Sequence, residues 1–171
     1  MTFELARFTS PIGEIVFAVR DGQVCALGFS EQVPRKRTFL ERRFGRVEFH
    51  EVADPAGVVT RLRQYFAGDA NALAAIAVDT GGTPFQQRVW EELRRIPAGQ
   101  TVSYADLATK IGAPTAVRAV GAANGSNPVA LIVPCHRVIG SNGQLTGYGG
   151  GIDRKRWLLA HESAQGELRV A

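Results

Sequence analysis

Residues 103–128, SYADLATKIGAPTAVRAVGAANGSNP, carry two helix signals almost back to back. Ser103 followed three residues later by Asp106 is a capping-box pattern, so a helix starts after Ser103. Gly112 ends it. In the next segment Val117, Val120 and Gly121 form the inner face of a second helix, and Arg118 falls off that stripe. Two short helices joined by a tight, Gly-containing turn suggest a helix-turn-helix. The second helix is then a candidate for a DNA groove.

The flanking segments are helical too. Thr83 can cap a helix with Pro84 in its first turn. Phe85, Val89, Leu93 and Ile96 line one face, and PAGQ (97–100) stops it. DRKRWLLAHE (153–162) reads as a last helix with Asp153 as cap. Towards the start the period changes. FELARFT, GEIVFAV and QVCALGF read as short strands separated by SPIG and DG turns. PRKRTFLERRFG and PAGVVTRLRQYFAG follow as helices, and LAAIAV (73–78) as a further strand. DTGGTP (79–84) looks like a link. The expected fold is therefore an α/β N-terminal domain, residues 1–78, followed by a mainly α C-terminal domain with a helix-turn-helix, residues 79–171.

Composition narrows the setting. Two cysteines, at positions 25 and 135, make no disulfide framework. No signal peptide or membrane-length apolar run is present, which points to a soluble cytoplasmic protein with reduced thiols. The net charge is +4. Residues 1–83 hold ten Lys/Arg and ten Asp/Glu, whereas residues 84–171 hold ten and six, so the second half carries the whole excess. A basic half points weakly to a polyanion. A mildly basic, solvated surface explains the same numbers.

The chemistry concentrates in ALIVPCHRVIGSNG, residues 130–143. A lone cysteine is most often an inert core residue. Here Pro134 locks the chain entering Cys135, His136 follows at once, and six glycines lie between 140 and 151. A thiol reacts as its thiolate and needs a proton acceptor, for which His136 is at hand. In extended chain, neighbouring side chains point apart, so a bridging water would be needed. A carboxylate should orient the second imidazole nitrogen. Glu162, one turn past Leu158, is the best candidate, although a solvated helix end is the simpler reading of it. Metal binding fits poorly, because His50, His136 and His161 are scattered. Cys25 lies inside a predicted strand and reads as core. Two classes survive: a cysteine hydrolase or acyltransferase, and a nucleic-acid-binding protein that turns a thiolate on its ligand.

PCHRVIG with the later GYGGG resembles the active-site signature of O6-alkylguanine-DNA alkyltransferases. The resemblance runs from Thr83 to Glu162 and includes FQQRVWEELRRIPAGQTVSYADLA, RAVGAANGSNP and RKRWLLAHE. The opening SPIG is similar, more loosely, to the family's smaller N-terminal domain. The resemblance implies a suicide repair protein that binds duplex DNA in the minor groove through its helix-turn-helix. Such a protein flips O6-alkylguanine into a pocket and moves the alkyl group irreversibly to its own cysteine.

Carried over by residue, the resemblance implies that Cys135 is the nucleophile, His136 its base through a water, and Glu162 the group that orients His136. Asn127 would tie the helix-turn-helix to the active-site turn. Arg118 would enter the base stack, and Tyr104 would press on the 3′ phosphate and protonate the leaving guanine. Tyr148 and Gly149 would close the pocket, and the carbonyls of Cys135 and Val138 would accept from the guanine amine. Ala105 and Ser141 would touch the DNA backbone. The implied partner is double-stranded DNA bearing O6-alkylguanine, with O4-alkylthymine as a further lesion. No cofactor, no metal and no membrane are implied, and the chain is expected to be a monomer off DNA.

Some family members bind zinc in the N-terminal domain through two cysteines and two histidines. This chain offers only Cys25 and His50 there. Gly149 stands where some members have a serine after the pocket tyrosine. A sister group with tryptophan in place of the cysteine binds lesions without repairing them, and Cys135 sets this chain apart from it. The competing readings are a lesion-binding module without transfer and a cysteine hydrolase.

Overall fold

The computed structural model describes residues 1–170, with side chains through Ala164. It divides into two compact units: residues 1–81 together with 128–132, and residues 82–127 together with the chain from 133 onward.

The first unit is built on β1 (Thr2–Ser10), β2 (Gly13–Arg20) and β3 (Gln23–Phe29), joined as antiparallel neighbours. α1 (Val33–Phe44) then crosses over to β4 (Glu48–Glu51), which pairs parallel to β1 and gives the order β3-β2-β1-β4. Phe3 and Phe8 point to opposite faces of β1 by strand alternation. Phe3 packs edge-on against Phe44 of α1, at 5.4 Å between ring centres. Phe8 stacks on Phe66, the last residue of α2 (Val58–Phe66), at 5.8 Å. The sheet is thus covered on both faces, and β2 and β3 are apolar almost without a break for that reason. Pro34 lies in the first turn of α1, and Gly45 (φ 77°) ends it.

Two expectations change here. LAAIAV forms turns rather than a strand, and only Val78 reaches the sheet, through a single bridge to Val24. The fourth strand is instead EFHE, which is too short and polar to show a period. Residues 128–132 belong to this unit: the Leu27 N–H donates to the Pro128 carbonyl (3.0 Å), and Val129 bridges Leu27.

The second unit is mainly helical. α3 (Pro84–Leu93) starts at Thr83, whose hydroxyl accepts from the Gln86 N–H while the Gln86 side chain returns to Thr83. Its buried face is Val89, Trp90 and Leu93, with Ile96 just beyond. Trp90 Nε1 donates to the Ala123 carbonyl (2.8 Å) and fixes α3 to α5 (Val117–Gly125). α4 (Tyr104–Lys110) starts at Ser103 with the expected box to Asp106. Gly112 (φ 76°) turns the chain towards α5, and the two helices pack on one another. The inner face of α5 is Val120, Ala123 and Asn124; Val117, expected inside, is exposed. The final helix, α6 (Ile152–Val170), outruns the expected segment by eight residues, and Asp153 lies in its first turn rather than capping it. Among the described residues no helix is long and apolar enough to cross a membrane.

Candidate active site

A two-residue parallel pair organises the site. β5 (Val102–Ser103) pairs with β6 (Val138–Ile139), Val102 beside Val138 and Ser103 beside Ile139. β5 runs directly into α4, so Tyr104 begins beside β6. β6 directly follows Cys135–Arg137, a single 3₁₀ turn. The helix pair and the cysteine turn are therefore held together by backbone hydrogen bonds.

Pro134 (φ −83°, ψ 66°) is the centre of an inverse γ-turn, closed by the Cys135 N–H donating to the Val133 carbonyl at 2.8 Å. The proline ring presets that φ. The Arg137 N–H then donates to the Pro134 carbonyl (3.0 Å). The extended geometry expected around Cys135 is thus replaced by a tight turn. In a 3₁₀ turn consecutive side chains diverge by about 120° rather than pointing to opposite sides.

His136 and Glu162 are each 1% exposed, and His136 Nε2 lies 3.0 Å from Glu162 Oε2. Arg137 grips the same carboxylate with both arms of its fork, Nε to Oε1 at 2.9 Å and Nη2 to Oε2 at 2.8 Å. Its Nη1 donates to the Ile96 carbonyl (2.7 Å). Burial alone would raise the Glu162 pKa, but the His136 charge and the Arg137 hydrogen bonds outweigh it and hold the carboxyl well below the usual carboxylate range. An ionised Glu162 only accepts, so His136 Nε2 carries the hydrogen and, in the neutral ring, Nδ1 keeps its lone pair. Nδ1 is buried and has no protein partner. That leaves a proton acceptor one residue from the Cys135 thiol.

Two asparagines hold the turn to α5. Asn127, 7% exposed, donates from Nδ2 to the Val133 carbonyl at 2.7 Å. Asn124 donates from Nδ2 to the Cys135 carbonyl at 3.4 Å. The Tyr104 hydroxyl donates to the Thr146 carbonyl (3.3 Å), reaching the glycine-rich loop at 140–151. The Tyr148 hydroxyl is enclosed without a hydrogen-bond partner. Burial holds its phenol well above the usual range, and negative charge on Cys135 acts in the same direction.

Cys135, His136, Glu162, Asn127, Tyr104, Val138 and Tyr148 all lie in this unit, and hydrogen bonds or direct chain adjacency join their segments. Ala105 on α4, Arg118 on α5, and Ser141 and Gly149 in the loop are exposed. Sequence reasoning missed Arg137, Asn124 and Lys155. Arg137 stands inside PCHRVIG and could have been suspected; Asn124 and Lys155 carry no local signal. Among the described residues, no group of three or more His, Cys, Asp or Glu side chains is placed to hold a metal.

The chain is similar to known proteins along most of its length. Residues 84–164 match the family model described as 6-O-methylguanine DNA methyltransferase, DNA binding domain. The methylated-DNA–protein-cysteine methyltransferase of Shigella flexneri is 43% identical over 159 residues, covering 91% of this chain and 93% of that protein. The protein of the same name from Mycolicibacterium paratuberculosis is 49% identical over 153 residues, covering 90% and 88%. Among solved structures, Mycobacterium tuberculosis OGT in complex with DNA superposes with a TM-score of 0.78 at 43% identity, covering 96% of this chain and 94% of that one. The O6-methylguanine-DNA methyltransferase of Pyrococcus kodakaraensis, at 24% identity and a TM-score of 0.68, shares the fold. On identities of 43% and 49% across at least nine-tenths of its length, the chain belongs to the methylated-DNA–protein-cysteine methyltransferase family.

Proposed function

We propose that this chain repairs duplex DNA by moving the alkyl group of O6-alkylguanine irreversibly onto Cys135. The observation that carries the reading is the buried Glu162–His136 pair beside Cys135, with His136 Nδ1 left over as an acceptor. The names of the relatives and the DNA-bound OGT neighbour support the same partner and reaction. The chain acts in the cytoplasm, where its thiols stay reduced. Residues 82–127 with the chain from 133 onward carry both DNA binding and chemistry, and residues 1–81 with 128–132 pack as a separate unit.

The base must first leave the stack, because its O6 substituent is out of reach inside the duplex. The α4–α5 pair lies in the minor groove. Arg118 fills the vacated space, and Ala105, Ser141 and Tyr104 meet the backbone. Gly149 and Tyr148 close over the flipped guanine. Its exocyclic amine donates to the carbonyls of Cys135, which in the protein accepts from the Val138 N–H and Asn124 Nδ2, and of Val138, which accepts from Lys155 Nζ.

His136 Nδ1 takes the Cys135 proton through a water, and Glu162 stabilises the resulting imidazolium. The thiolate attacks the alkyl carbon, the S–C bond forms and the C–O6 bond breaks with its electron pair moving to guanine. Tyr104 supplies a proton to the leaving base, which neutralises the charge that develops there. The thioether has no route back to thiol, so each molecule turns over once. No cofactor enters any step.

The test is the mass of the intact protein after incubation with duplex DNA containing O6-methylguanine, followed by peptide mapping. One methyl per chain, on Cys135, is expected. Binding without an adduct would make the chain a lesion-recognition module.

A further inference from the structure

A cavity of about 200 Å³ opens between the sheet of the first unit and α1. Its floor is two cross-strand rows, Leu5–Ala18–Ala26 and Arg7–Val16–Gly28, in the register of β1, β2 and β3. Ala18, Ala26 and Gly28 are too small to fill the space beneath the helix, and Leu40 is the one residue of α1 that is fully buried. A Cβ at Gly28 would meet the Lys36 stem at 2.8 Å, so the glycine lets that side chain lie flat on β3. Its ammonium then donates to the Pro128 carbonyl at 3.3 Å. Leu5, Val33 and Phe49 line the cavity and remain half-buried, so it is open to solvent. A dry cavity of roughly 150 Å³ takes up benzene, so this one has room for a short alkyl chain. The charged groups in the lining are Arg7, Lys36 and Arg37, with no carboxylate among them. Arg37 donates from Nε to Glu41 at 2.9 Å and lays its guanidinium over Phe49, 5.7 Å from the ring centre. Its two Nη arms have no protein acceptor among the described residues. Arg7 meets Glu14 through Nη1 at 2.9 Å and Glu51 through Nε at 3.9 Å. The side chains of Glu14, Glu41 and Glu51 are 40%, 43% and 79% exposed. Such exposed pairs contribute little, so another carboxylate can exchange with them.

We propose that this cavity binds a medium-chain alkyl carboxylate, its chain lying between α1 and the sheet and its head on the Arg37 guanidinium. The free fork of Arg37 matches a carboxylate in two parallel hydrogen bonds. Phe49, against which the guanidinium packs, shields that contact from water on one side. An uncharged chain would fill the cavity and leave the fork unused, and a short acid would meet the fork and leave the apolar wall wet. All of the lining residues belong to the first unit, and binding there needs none of the residues that surround Cys135.

Isothermal titration of the full chain compares sodium octanoate, octan-1-ol and sodium acetate. One octanoate per chain is expected. Octan-1-ol should bind about tenfold to a hundredfold more weakly, for want of a charge-assisted hydrogen bond. Acetate should not bind, having no chain to bury. Arg37→Gln should weaken octanoate by about the same factor as loss of the charge and leave octan-1-ol unchanged, the coupling expected of two groups in contact. Leu5→Trp, which fills the cavity from its half-buried edge, should abolish binding of both. Methyl resonances of the parent chain locate the ligand without any substitution: octanoate should shift those of Leu5, Val16, Val33 and Leu40. Absence of saturable octanoate binding overturns the proposal, and so does equal affinity for octanoate and either of the other two compounds. An Arg37→Gln loss that is equal for octanoate and octan-1-ol also overturns it. So does octanoate binding that survives in a folded Leu5→Trp chain. Should Leu5→Trp not fold, the methyl shifts decide: shifts confined to other residues overturn the proposal.

Discussion

Both cysteines are buried, yet their surroundings differ. Cys25 is 1% exposed within β3. Burial, followed by the negative charge of Asp79, pushes its thiol up to about 11, so it stays protonated at neutral pH. Cys135 instead adjoins a histidine whose far nitrogen is bound to a carboxylate. Iodoacetamide at neutral pH should therefore label Cys135 and spare Cys25, as read by peptide mapping. Cys135→Ser should abolish transfer and keep DNA binding, because the hydroxyl has the shape but cannot ionise; parallel loss of both would contradict a purely chemical role. Glu162→Gln should slow transfer, by about a hundredfold if the general base is crippled, since an amide can hold the imidazole but cannot stabilise its cation. The carboxyl pKa is depressed in the fold, so Glu162 contributes stability above its unfolded value of about 4. That contribution is lost as the pH falls towards the folded value. Thermal midpoints of the Gln variant should fall less steeply below about pH 4 than those of the parent chain; equal slopes would count against the buried ion pair. Cys135 and His136 were legible because they are adjacent. Glu162 could be named as the candidate, yet its burial could not be read, because that depends on a helix that continues past it. Lys155 was invisible because its three main-chain acceptors, the carbonyls of Val138, Thr146 and Gly147, leave no mark in a sequence.

At the scale of elements, what was legible was local. Ser103 with Asp106, and Thr83 with Gln86, bond within four residues, so their helix starts could be read directly. β4, β5 and β6 have two to four residues and no period, and long-range pairing alone creates them. LAAIAV had the apolar run but not the partner. Ser103→Ala should cost about 1 kcal/mol in stability, and because the same cap starts the helix that carries Tyr104, it should also slow repair of duplex DNA. Ser103→Gly should cost only a few tenths of that unit; denaturant unfolding ranks the two. Arg118, exposed on α5, gives a sharper test. A planar guanidinium can stack on neighbouring bases and meet the orphaned cytosine, which offsets part of the few kcal/mol of flipping. Arg118→Ala should slow repair of duplex DNA strongly and barely change reaction with free O6-benzylguanine. Equal single-turnover losses on both would place Arg118 in the fold instead.

At the scale of the whole molecule, the charge excess of +4 lies in the half that carries the helix pair and Cys135. Reaction should also change stability. Asn127, Asn124 and the γ-turn at Pro134 hold Cys135 in a buried, hydrogen-bonded turn, and an added methyl there is overpacking. The expected loss is roughly 1–3 kcal/mol, a fall of about 2–12 °C in thermal midpoint for a chain of this size. A midpoint at or above that of the unreacted protein would contradict it. Alkyl transfer to Cys135 consumes the chain, and intact-protein mass spectrometry across a titration with duplex O6-methylguanine DNA measures that consumption. The expected result is a gain of one methyl on Cys135, rising with added lesion and stopping at one per chain, with one guanine restored for each protein spent. Lesion repaired beyond one equivalent, or bound with no mass gained, would contradict it.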